Sequence, residues 1–124
     1  MRRIFCLIVA SLLAPSAPVV AHHGAADFEM GRVVTIRGTV VDYQLINPHT
    51  EILVKTTSEG GDPVDWHVES VAMNMMLRVG WKRDSLKPGD VVSVTEHPGK
   101  NGKPAMLLTK ILLPDGRELA APYQ

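Results

Sequence analysis

Two stretches with a two-residue apolar period, joined by one turn, constrain this chain more than any other feature. In EILVKTT, Ile52 and Val54 alternate with Glu51, Leu53 and Lys55; in VDWHVES, Val64, Trp66 and Val68 alternate with Asp65, His67 and Glu69. Side chains of a strand point alternately to its two faces, so one set of each run can be buried while the other looks outward. The intervening SEGGDP carries the glycines and proline of a turn, and the two runs are predicted to form an antiparallel hairpin. A register pairing Glu51 with Glu69 and Leu53 with His67 keeps both apolar sets inward. A slip of one residue would break it.

The rest of the chain extends this β pattern. Val33 to Leu45, VVTIRGTVVDYQL, is rich in β-branched residues and reads as a long first strand, with Gly38 at the point where a bulge or sharp coil is expected. Pro48 in INPHT disfavours helix at Asn47 and sets a turn, leaving His49 at the mouth of the second strand. After the hairpin, Ser70 is a candidate N-cap for VAMNMMLRV and Gly80 a stop, so one short helix is expected between them. Two further strands follow, VVSVTEH and AMLLTKILL, the second closed by Pro114-Asp115-Gly116. Five strands with one short helix between the third and fourth is the order of a small, mainly β, OB-like Greek-key barrel.

The first residues read differently. Met1-Arg2-Arg3, the apolar run Ile4 to Ala14 and the small-residue exit PSAPVVA have the layout of a cleaved signal peptide over 1–21, cut after Ala21 or a few residues from it. The run is too short for a membrane anchor, since a core of about 30 Å takes roughly 20 helical residues. Cleavage removes Cys6, the only cysteine, and leaves 11 basic against 13 acidic residues, a formal net charge of −2. Loss of the cysteine excludes thiolate and disulfide chemistry, and the charge balance argues against nucleic-acid or anionic-membrane partners. The expected organisation is a histidine-bearing arm over 22–31, a barrel over 32–119 and a tail over 120–124, in a periplasmic or extracellular protein.

With cleavage after Ala21, the chain begins His22-His23-Gly24. The α-amine and imidazole of a terminal histidine can close a chelate on one ion, and both lose their protons near neutrality. Nitrogen donors in tetragonal geometry point to copper(II). The candidate ligands are His22 and His23, then His49 if the arm folds back, with His67 and Glu69 on the outer face of the hairpin; Glu51 would neighbour them. A solvated arm and a solvated outer face satisfy the same residues. Met73, Met76 and Leu77 follow helical spacing and read as barrel filler rather than copper(I) ligands. Trp66 reads as core, Trp81 as a cover for the barrel's lower edge and His97 as a rim residue. Nucleophile-elbow, P-loop, dinucleotide and His-Glu-x-x-His patterns do not occur, and no enzymatic activity is expected.

His22-His23-Gly24, Asn47-Pro48-His49, Trp66-x-x-Glu69, Gly80-Trp81, Ser85-Leu86-Lys87-Pro88-Gly89-Asp90 and Leu113-Pro114-Asp115-Gly116-Arg117 together resemble a family of small exported bacterial proteins classed as a domain of unknown function. Mature chains of that family start near Ala-His-His-Ser; this one departs from the pattern at Gly24. The resemblance implies export and a shared β-rich domain, and supplies no activity. Two functions are therefore carried forward: capture of a divalent transition metal, copper first, and a metal-free adaptor holding an unidentified periplasmic protein or small ligand on the hairpin face.

Overall fold

The structure, a computed structural model, describes residues 25–122. The expected leader and His22 and His23 lie outside the described residues. Six strands and one helix follow in order: β1 (Val34–Gln44), β2 (Glu51–Thr57), β3 (Pro63–Glu69), α1 (Met73–Arg78), β4 (Val91–Pro98), β5 (Ala105–Leu112) and β6 (Glu118–Ala120). The strands run β3-β2-β1-β4-β5-β6 across the sheet, and a parallel pairing of β3 with β5 closes the first five into a barrel. This is the architecture expected from the strand and helix order.

The closure depends on β1 serving two partners. Its first half pairs with β4 from Val34 to Thr39, and its second with β2 from Thr39 to Gln44. The bulge expected at Gly38 instead falls between Val40 and Asp42. Gly38 answers to a different constraint: a Cβ there would lie 2.5 Å from the Lys55 carbonyl oxygen and 2.7 Å from Val54 Cγ1. β1 crosses β2 closely at this point, and a side chain would hold the strands apart.

Inward residues of all five strands, among them Val40, Ile52, Val54, Val68, Val94 and Leu108, form one core. One end is plugged by Met76 of α1 and by Trp81, both buried, with Trp81 Nε1–H donating to the Ala120 carbonyl at 2.9 Å. The helix is shorter than its spacing suggested. Ala72, not Ser70, occupies its N-cap; the Ser70 hydroxyl turns inward to Met76 Sδ, and Asn47 Oδ1 accepts from the Met73 N–H at 3.1 Å. Gly80 ends it as expected, at φ +97°. Six residues offer one narrow apolar face, so Met76 is buried and Met73 partly so, while Leu77, expected in the core, is 48% exposed.

Both ends of the domain differ from the sequence reading. The expected tail begins inside a sixth strand: β6 pairs with β5 at Lys110 to Leu112, and Ala121 behind it is buried. Three residues are too few to show a period. The expected arm does not run free at its described end either. Ala25–Asp27 makes a 3-10 turn, Phe28 is buried and bridges Gly99, and the Glu29 N–H donates to the Pro98 carbonyl at 2.9 Å.

Candidate functional site

The outer face of the hairpin has the register that the alternation requires. Glu51 faces Glu69 and Leu53 faces His67 across β2 and β3. β1 adds Gln44 beside Glu51 and Asp42 beside Leu53, and β5 sets Leu107 beside Glu69 and Ala105 beside His67. Two rows therefore cross the face, Gln44–Glu51–Glu69–Leu107 and Asp42–Leu53–His67–Ala105. The Gln44 amide donates to Asp42 Oδ2 at 2.7 Å, which orients that carboxylate. One turn further along, Lys55 and Asp65 sit opposite each other, 3.7 Å apart and half exposed, an ion pair worth under about 1 kcal/mol.

A groove of about 550 Å³ follows these rows, bounded on the far side by Lys103, Pro104 and Ala105. The His67 N–H donates to the Pro104 carbonyl at 2.9 Å, tying that wall to β3. Three carboxylates, Asp42, Glu51 and Glu69, line the groove with one lysine and one histidine. Carboxylates facing each other across a ladder repel, and a cation between them relieves the repulsion.

A second cleft of about 320 Å³ adjoins the first and shares Glu69, Lys103 and Ala105 with it. Its other side is the start of the described chain, Asp27 and Phe28, with Gly99 and Lys100. Lys100 Nζ–H donates to the Ala26 carbonyl at 2.5 Å, and the Nδ1–H of His97 donates to the Arg32 carbonyl at 2.7 Å. His97, a rim residue without a role in the sequence reading, is thus a clasp between β4 and the arm.

The structure brings His67 and Glu69 together with Glu51. His49 is half-buried, donates from Nδ1 to the Ser70 carbonyl at 3.3 Å and lines neither cleft. Among the described residues, no group of three or more His, Asp or Glu side chains is arranged to hold a metal ion by itself. The sequence reading missed Asp42, Lys103 and Asp27, whose approach depends on pairings distant in sequence. It also missed Glu96. That residue continues the inward series Val92, Val94, so the alternation of VVSVTEHP carried its signal. Glu96 is wholly buried, neither of its carboxyl oxygens has a hydrogen-bond partner among the described residues, and burial pushes its pKa up to about 9. On the plugged end, Tyr43 donates to the Lys82 carbonyl at 2.9 Å; burial pushes its phenol up to about 12 against the opposing pull of Arg83.

A family model described as a family of unknown function (DUF6152) matches residues 9–108. The comparison with curated proteins finds no match.

Proposed function

The chain belongs to the DUF6152 family, whose function is unknown, and from that premise we propose that it is a non-enzymatic, exported binding module that captures a divalent transition metal, copper first. One observation carries the reading: Glu69 belongs both to the groove holding Glu51 and His67 and to the cleft beside Asp27, where the described chain begins. His23 and His22 precede Asp27 by four and five residues. Ala25–Asp27 are taken up in the 3-10 turn, so the reach toward Glu69 comes from the two or three residues before it, about 7–11 Å at roughly 3.3–3.6 Å per extended residue. The α-amine and ring of His22 and the ring of His23 supply nitrogen donors, and Glu69, with His67 two residues before it on the same face of β3, completes the set. His49 stands in reserve, since it borders neither cleft. Cleavage after Ala21 and a periplasmic or extracellular location belong to the same proposal, because the amine must be free.

The test compares two versions of the protein, one starting at His22 and one with Gly-Ser added in front. The first is expected to bind one copper(II) per chain, and the second at least tenfold more weakly, about 1.4 kcal/mol. Equal affinities would end the amine-chelate reading. The apolar stretch of the groove, Leu53, Pro104 and Ala105, favours a second reading: a metal-free adaptor that holds a partner protein or small ligand. Such an adaptor keeps its partner in the presence of chelator and loses it on Leu53→Asp.

A further inference from the structure

Glu96 serves neither cleft described above. A buried carboxyl with both oxygens unmatched is uncommon, because native structures pair nearly all buried polar groups. The elements packed on it present only apolar groups to its side of the sheet: Val34 and Ile36 from β1, Val94 and Pro98 from β4, Met106 and Leu108 from β5. The charged and titratable neighbours on these strands, Arg37, His97 and Lys110, alternate to the outer face, and burial alone shifts the carboxyl.

The strand neighbours of Glu96 lead to an opening. Val34, its partner across β1, and Pro98, the next inward residue of β4, line a cleft of about 380 Å³ at the end of the barrel away from the α1 plug. Ile36, Trp66 and Met106 complete the apolar lining. Trp66 Nε1–H is bonded to Thr56 Oγ1 at 3.0 Å, which fixes the indole in the wall. Three charged groups stand in the lining: Arg32, which is met by Glu29 at 3.5 Å, and Lys103. Glu96 itself does not line this cleft but belongs to the buried layer next to Val34 and Pro98; the size, the apolar lining and an unmatched acid one residue from the wall suit a small ligand with an alkyl body and a single polar head.

We infer that this end of the barrel is a second binding site, for a small alkylammonium compound whose chain lies against Ile36, Trp66 and Met106 and whose ammonium pairs with the Glu96 carboxylate. The head group reaches Glu96 by displacing the side chain of Val34, its partner across β1, which lines the cleft. The proton balance is simple. The ligand keeps its ammonium protons, Glu96 gives up its own to solvent, and one proton leaves per ligand bound.

The site is independent of the metal reading, and its test is run in chelator so that failure of one does not touch the other. Hexylammonium chloride is titrated calorimetrically into the protein at pH 6, 7 and 8, in buffers of differing ionisation enthalpy, with hexanol as the uncharged probe. The expected result is one site, release of close to one proton, and an affinity that rises about tenfold per pH unit, because the carboxyl must ionise on binding. Hexanol is expected to bind at least tenfold more weakly, and Glu96→Gln to abolish both the pH dependence and the proton release. Equal binding of hexanol, no proton release, an unchanged Glu96→Gln variant, or no binding at millimolar ligand would each overturn the inference. The proton count and the hexanol comparison use the unaltered protein, so they decide the matter even if the variant does not fold.

Discussion

Replacing Glu96 by Gln removes a titrating group from the barrel while keeping its shape. The folded protein holds this carboxyl's pKa at about 9, against an ordinary value of 4.5. Below pH 4.5 the group is protonated in both folded and unfolded chains and sets no pH dependence. As pH rises from 4.5 towards 9, the unfolded chain loses the proton and the folded chain keeps it. Stability therefore falls, by about 1.4 kcal/mol per pH unit. The accumulated loss is about 3 kcal/mol at pH 7 and about 6 kcal/mol at pH 9, after which the curve flattens. Those are large fractions of the 5–15 kcal/mol typical of a domain. Urea unfolding followed by tryptophan fluorescence, from pH 4.5 to 9, measures the effect as the difference between the natural chain and Glu96→Gln. Other carboxylates cancel in that difference, including Asp115, which the Arg117 backbone and side chain hold below the usual range. A constant offset from the buried amide is expected; the diagnostic is the slope. Two curves that stay parallel across the range would refute the assignment of Glu96 as a buried, unpaired acid.

Three further perturbations probe the frame around the site. Gly38→Ala places a methyl 2.5 Å from the Lys55 carbonyl oxygen, where backbone must move, and is expected to cost about 1–3 kcal/mol or more in urea unfolding. Trp81→Ala empties the plugged end and strands the Ala120 carbonyl; a loss of about 3–5 kcal/mol is expected, lowering Tm by at least about 12 °C in calorimetry. Phe28→Ala is expected to loosen the arm rather than the barrel: trypsin cutting after Arg32 should accelerate while the urea midpoint of the barrel moves little, because Phe28 bridges Gly99 and lies outside the barrel's core cluster.

Much of the outer groove was readable because its cause is local. The alternation in EILVKTT and VDWHVES predicts which side chains face out and which register follows, and Glu51 does face Glu69 with Leu53 facing His67. The position of Gly80 likewise ends α1 through a backbone conformation that glycine adopts easily. Features that rest on remote partners were not readable. Gly38 looks like a bulge from its own strand and is a close crossing only because β2 lies against it. Leu77 has helical spacing, yet a helix of six residues has too little buried face to cover it.

The sequence by itself determined the order of the five barrel strands, the single helix between β3 and β4 and the two faces of the hairpin, since period, turns and a glycine stop act over a few residues. Tertiary structure alone decided the rest. The parallel pairing of β3 with β5 brings Lys103 and Pro104 to the groove, and the docking of Phe28 on Gly99 sets Asp27 in a cleft with Glu69. Closure of the barrel likewise leaves Glu96 among apolar neighbours with no partner of its own among the described residues. The physical reason is common to all three: what a side chain meets, and whether its charge is solvated, depends on chain segments far away in sequence.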